Sequence, residues 1–236
     1  MTPSTSLPSP DRVDATADRG FSLPSAAPAI AGFAYVVTWA VGLSVFPVNL
    51  ALDAPASEIV DAYAKQSALG TLQFVLVEGL AGILLAFVLA LLATTQQARG
   101  YALSRSALVS AAVAVMISLT QCALGLSMIA ASQQHTAHTA FDLYGAVNRL
   151  DGVKMLALAF LAASLARHGS GALPLILRVC SVALALTLLG SGVSYLLLWN
   201  ALAWTVYVSG PVLLLWVAGL GLWLSIVRRR MRREPA

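Results

Sequence analysis

Residues 132–154, SQQHTAHTAFDLYGAVNRLDGVK, are the one long polar interruption between two strongly apolar halves of the chain. They hold His135 and His138 and close on Arg149, Asp151 and Lys154. The apolar run behind them, residues 155–166, covers only about 18 Å as a helix at ~1.5 Å per residue, short of a hydrocarbon core of about 30 Å. If that run crosses a membrane, the charges before it are drawn into the bilayer; if it does not, they lie in a loop. The reading of this stretch therefore decides how often the chain crosses.

That a membrane is involved follows from composition. With 59% hydrophobic residues, 10% charged and a mean hydropathy of +0.83, the chain lies far outside the range of water-soluble domains and is expected to be an all-α integral membrane protein. Arginine far outnumbers lysine, and alanine and leucine dominate, as in GC-rich bacterial genomes, so the bacterial cytoplasmic (inner) membrane is the expected location. Cys122 and Cys180 sit inside apolar runs and read as small core residues. No phosphate-binding loop, GxSxG, CxxC or nucleic-acid motif is present, and the two halves show no repeat. Neither a catalytic residue nor a cofactor is assigned, and nucleic acid is not an expected partner.

Charge distribution decides the number of crossings. With six crossings and the N-terminus inside, Arg12, Arg19, Arg99, Arg105, Arg167, Arg178 and the five C-terminal arginines are cytoplasmic, 11 of the 14 basic residues, leaving Lys65, Arg149 and Lys154 outside. With five crossings only 4 are inside and 10 outside, against the tendency of basic residues to stay cytoplasmic. The expected fold is a bundle of six transmembrane helices with both termini cytoplasmic, spanning residues 29–52, 69–94, 106–131, 146–166, 173–199 and 202–227. Residues 132–144 are expected outside.

Residues 1–28, rich in Pro, Ser, Thr and Asp, bury too little to order themselves and read as a disordered cytoplasmic tail. The Ala26-Ala27-Pro28-Ala29 run precedes the first apolar segment, so that segment is expected to be retained and not cleaved as a signal peptide. Residues 228–236 form a basic cytoplasmic tail. Between the first two spans, residues 53–65 read as a short surface helix, capped by Asp53 or Ser57, with an Asp61–Lys65 pair in water and Ile59, Val60 and Tyr63 resting on the bilayer interface. Tyr195, Trp199, Trp204 and Tyr207 read as an outer aromatic belt, and Trp223 as its inner counterpart.

A fourth span of full length begins near residue 146, which places Arg149, Asp151 and Lys154 inside the outer half of the membrane. Counted from the cytoplasmic ends at ~1.5 Å per residue, Lys154 lies at about 18 Å, Gln121 and Asp151 at about 22 Å and Glu78 at about 24 Å. An ionisable group at that depth seldom faces lipid, since insertion there costs roughly 2.5–3.5 kcal/mol. Small-residue stripes allow close approach: Ala111, Ala114, Ser118, Gln121 and Gly125 on the third span, and Gly79, Gly82, Ala86 and Ala90 beside Glu78 on the second. Spans two, three and four are therefore expected to pack around Glu78, Gln121, Arg149, Asp151 and Lys154, either as an ion pair that fixes register or as a ligand or ion path. Glu78 with Lys154 is the expected pair, so that Glu78→Gln destabilises and Lys154→Met in the same chain restores.

His135, His138 and Asp142 are a weaker candidate. On a helix, spacings of three and four would set both imidazoles and the carboxylate on one side, a partial Zn²⁺ or Cu²⁺ ligand set. With no third histidine nearby, a solvated segment and no bound metal are expected.

The first span with Asp53, Ile59 and Tyr63 after it, the Leu150-Asp151-Gly152-x-Lys154 entry to the fourth, and Ala172-Leu173-Pro174 opening the fifth resemble uncharacterised multi-pass membrane proteins of actinobacterial type. The resemblance implies the fold and no activity. Two functions are compatible with the sequence: a small-solute or ion carrier or channel-like protein with Glu78 and its neighbours on the path, or a non-catalytic membrane component whose polar cluster is structural. The expected partners are the lipid bilayer and either a second copy of the chain or a partner membrane protein.

Overall fold

The structure, a computed structural model, describes residues 23–46, 50–168 and 173–233. Most of the expected N-terminal tail, with Arg12 and Arg19, lies outside the described residues, as do Pro47, Ala172 and residues 234–236. Among the described residues every regular element is helical. α1 (Ala27–Val45) is followed by the short α2 (Ala56–Lys65); α3 (Ser67–Phe74) then runs through a π-helical turn (Val75–Leu80) into α4 (Ala81–Ala98). α5 (Arg105–Gln133), α6 (Ala137–His168) and α7 (Leu175–Leu197) follow, and a 3₁₀ turn (Asn200–Thr205) leads into α8 (Val206–Arg233).

Five of these helical units, Ala27–Val45, Ser67–Ala98, Arg105–Gln133, Leu175–Leu197 and Asn200–Arg233, are long and apolar enough to cross a membrane. Their outward faces carry large apolar side chains: Ile30, Leu175, Leu186 and Leu215 are 65–72% exposed, a surface suited to hydrocarbon and not to water. α6 is not among the five because Arg149, Asp151 and Lys154 interrupt its apolar run. It is nevertheless 32 residues long, about 48 Å at ~1.5 Å per residue, and packs along both α5 and α7.

Several boundaries differ from those expected. The first helix stops at Val45, well short of residue 52, and Phe46 leaves the helical region (φ −129°, ψ 83°), in line with the bias of a residue before proline away from helix. The polar stretch after α5 is not a long loop; helix resumes at Ala137, seven residues before the end of the segment expected outside. The last helix starts at Val206 behind the 3₁₀ turn and continues through Arg233, so the described arginines extend a helix instead of forming a tail.

α2 departs furthest from its expected place. Its N-cap is Pro55, with no side-chain cap from Asp53 or Ser57. Asp61 and Lys65 do pair at 2.9 Å in solvent. Ile59, Val60 and Tyr63, however, are buried against Phe46, Phe74, Met128, Ile129 and Tyr144 instead of lying on a bilayer surface. Asp53 is used elsewhere, accepting a hydrogen bond from the Asn200 amide at 2.6 Å.

The two ends of the described residues share one end of the bundle. The Ala29 N–H donates to Ser225 Oγ at 2.9 Å, Arg232 donates to the Leu23 carbonyl, and the Arg99 guanidinium lies 5.6 Å from the Trp223 ring. At the opposite end the Leu52 N–H donates to Asn200 Oδ1 at 3.1 Å, and the Tyr144 hydroxyl donates to the Ala51 carbonyl at 2.9 Å. Close helix approach at the α1–α8 crossing depends on Gly32 and Gly221: a Cβ on Gly32 would stand 3.0 Å from the Val217 carbonyl oxygen.

Two apolar cores result. The larger, nearer the arginine end, joins Tyr35, Val88, Leu92, Leu161, Leu184, Trp216 and Leu220 with their neighbours. The smaller, at the opposite end, gathers the α2 residues around Phe46, Phe74, Met128 and Tyr144. The ionisable groups lie between them.

Candidate functional site

Glu78 reaches the bundle axis from the π-helical turn Val75–Leu80, where the backbone widens by one residue per turn. The turn sits between α3, which belongs with the smaller core through Phe74, and α4, which belongs with the larger through Leu85 and Val88. Its neighbours are small on the facing helix: a Cβ on Gly82 would stand 3.1 Å from the Ser118 Cβ, so α4 and α5 touch closely here.

The Glu78 carboxylate, 8% exposed, is held from two helices. Lys154 Nζ on α6 lies 2.9 Å from Oε1 and 2.8 Å from Oε2, and the Ser118 hydroxyl on α5 donates to Oε2 at 2.9 Å. Lys154 also contacts Asp151 Oδ1 at 2.7 Å, one turn earlier on α6. Gln121, only 1% exposed, donates through Nε2 to the Val147 carbonyl at 3.1 Å and to Asp151 Oδ1 at 3.3 Å. The result is a continuous chain, Ser118–Glu78–Lys154–Asp151–Gln121, in which two carboxylates share one ammonium.

The expected Glu78–Lys154 pair forms, and Asp151 joins it as a second carboxylate on the same ammonium. Removing Glu78 alone leaves Lys154 with a carboxylate partner, so the buried cation is not stranded. Arg149 does not join the group; it is exposed on the outside of α6. An α-helix turns about 100° per residue, which sets Arg149 on a different face from Asp151 and Lys154.

Beside the chain lies a cavity of about 500 Å³. Glu78, Ser118, Gln121, Asp151 and Lys154 form its polar wall, and Tyr35, Trp39, Phe74, Leu85, Leu188 and Tyr195 supply much of its apolar and aromatic surface. It extends past Tyr144 and Asn148 to Leu50, Leu52 and Tyr63 at the end covered by α2. Burial, and then the nearby Tyr144, hold the Tyr63 hydroxyl above the usual phenol range, so it stays a neutral O–H at that mouth. The Gln121 Oε1 atom is buried with no hydrogen-bond partner, although its Nε2 has two acceptors. Because both neighbours accept, the amide cannot be turned round to relieve it.

The histidine segment is arranged differently from a ligand set. His135 precedes α6 with φ +53°, so it does not share a helical face with His138. His138 Nδ1 and Asp142 Oδ2 lie 2.8 Å apart in solvent. Among the described residues no three His, Cys, Asp or Glu side chains are placed to hold a metal ion. The π-helical turn, the sharing of Lys154 and the unpartnered, buried Gln121 oxygen have no signature in the sequence. The stripe that carries Ser118 and Gln121 does, and both face the axis.

Comparison of the chain with protein-family models, with curated proteins and with solved structures returns no match, so the candidate site stands on its own geometry.

Proposed function

We propose that the protein is a six-span membrane protein, with both termini cytoplasmic, that carries a small solute by way of the cavity between its two cores. The observation that carries this reading is the cavity itself: about 500 Å³, within the range of small-molecule sites (about 300–1,000 Å³), with intramembrane charges on its wall. α6 supplies the sixth crossing. Its length and its packing along α5 and α7 support this, as does the gathering of Arg99, Arg228 and Arg232 at the end that holds both described termini. A carrier needs its site reachable from each side in turn, and α2 is the element that covers one approach.

A second reading is favoured by a specific observation, the saturation of Lys154. Three oxygen contacts at 2.7–2.9 Å match its three protons, as a purely structural staple would have them. The two readings part on access. With Cys122 and Cys180 replaced by Ser, Leu188→Cys on the cavity wall should react with a small charged thiol reagent in right-side-out and in inside-out vesicles alike. A structural cluster predicts reaction from neither side.

A further inference from the structure

Building on the reading of the cavity as a solute site, we infer that its ligand is a single-chain amphiphile of the bilayer, admitted sideways between α1 and α8. The inference follows from which sides of the cavity are shut and which is open. At the α2 end the lining is buried: Leu52 and Tyr63 are 7% exposed and Tyr144 is 8% exposed. Between α1 and the π-helical turn there is no gap, since a Cβ on Gly42 would stand 2.5 Å from Val77 Cγ2. Leu43 of α1 and Tyr207 of α8 line the same cavity, yet they are 43% and 68% exposed. The cavity therefore reaches the surface between those two helices.

The course of the helices accounts for the opening. They run antiparallel and meet backbone to backbone near the arginine end, where a Cβ on Gly221 would strike the Pro28 carbonyl and one on Gly32 would stand 3.0 Å from the Val217 carbonyl oxygen. Farther along, from Gly32 to Trp39 on α1 and from Val217 to Gly210 on α8, the pair has advanced about 10 Å. There the nearest atom to a Gly210 Cβ is the tip of the Trp39 ring, Cη2 at 3.3 Å, so the two backbones have parted by the length of an indole. Leu43 and Tyr207 lie beyond, toward the end that carries Asn200. With the arginine end cytoplasmic, as proposed above, the crevice faces the outer leaflet and Tyr207 stands at its headgroup edge.

The cavity is polar on its far side. Ser118, Gln121, Asp151 and Lys154 stand on α5 and α6, and among the described residues α1 and α8 pack on neither of those helices. A molecule entering from lipid thus passes Trp39 and Leu43 before it meets charge. Its polar end rests against the charged wall and its chain runs back along the crevice to the hydrocarbon. A volume of about 500 Å³ is that of a small-molecule site, with room for one chain and not for a whole phospholipid.

The test uses the full chain in lipid nanodiscs, with Cys122 and Cys180 replaced by Ser, and three diazirine photolabels: palmityl alcohol, butanol and a two-chain phosphatidylcholine. Adducts are mapped by peptide mass spectrometry. Palmityl alcohol should mark Leu188 and Leu213 on the cavity wall as well as Leu186, which is 65% exposed on the outside of α7. The phospholipid should mark Leu186 and neither wall residue. In the Leu43→Cys, Val206→Cys variant, a reducible bifunctional thiol reagent that joins α1 to α8 should abolish palmityl labelling of Leu188 and Leu213. Reductant should restore it, with Leu186 labelled equally throughout.

Labelling of the wall by butanol and not by palmityl alcohol, palmityl labelling that survives the cross-link, or equal labelling by the phospholipid would overturn the inference while leaving a solute site in place. No adduct at Leu188 or Leu213 from any probe, together with an unreactive Leu188→Cys, would remove the solute site as well.

Discussion

The two apolar cores differ in how they are held. The larger is built from long helices in direct contact: α1 meets α8 over Gly32 and Gly221, and Val88, Leu92, Leu184, Val217, Leu220 and Leu224 are completely buried. The smaller rests on a ten-residue helix, α2, which inserts Ile59 and Tyr63 among the ends of α3, α5 and α6, with Tyr63 stacked on Phe46 at 5.0 Å between ring centroids. The first is continuous packing between neighbouring rods; the second is a plug. Between them the Ser118–Glu78–Lys154–Asp151–Gln121 chain and the cavity break the apolar continuity. A bundle divided in this way is expected to open first at the α2 end, because local opening follows the elements with least buried contact.

The division is broken most severely at its polar layer. Lys154→Met leaves the buried Glu78 carboxylate and the partly buried Asp151 carboxylate with no cation and should destabilise by about 3–5 kcal/mol. Glu78→Gln should cost less, on the order of 1.5–3 kcal/mol for lost charged hydrogen bonds, because Asp151 still balances Lys154. The triple variant Glu78→Gln, Asp151→Asn, Lys154→Met should recover most of the loss seen with Lys154→Met. Unfolding in detergent measures all three; strictly additive effects would show that the groups do not act as a unit.

The larger core is tested next by Gly32→Leu, which drives a side chain into the α8 backbone and should destabilise by about 1–3 kcal/mol as overpacking does. The smallest effect is expected in the plug. Ile59→Val should lower stability by about 0.5–1.5 kcal/mol. Hydrogen exchange should show that loss as faster opening of α2 amides, with α4 and α8 amides unchanged. Equal acceleration in all three helices would mean that the two cores are one cooperative unit.

Much of this arrangement was legible in the residues, for reasons that also mark where legibility stops. Depth along a helix is a count at fixed rise, so Glu78, Gln121, Asp151 and Lys154 could be placed at one level, and the small-residue stripe of Ala114, Ser118 and Gly125 indicated which face of α5 turns inward. Arg149 was grouped with them by depth alone; depth does not report azimuth, and that residue points away. The π-helical turn at Glu78 was illegible because Val75–Leu80 reads as ordinary apolar helix, and the partners of Glu78 lie on α5 and α6, far away in sequence. α2 was misread for a similar reason. Its Ile59, Val60 and Tyr63 face fits a bilayer surface or a protein groove equally well, and only the ends of α3, α5 and α6 supply the groove. The end of α1 was recoverable in principle, since the residue before Pro47 is biased away from helix.

Whether α6 crosses the membrane decides whether the Glu78–Lys154–Asp151 cluster lies within hydrocarbon among six spans. Reporter fusions measure it directly, with an enzyme active only outside the cytoplasm joined after His138 and one active only in the cytoplasm joined after Arg233. With six crossings, both fusions are active. An inactive external reporter at His138, or an external signal after Arg233, would contradict it.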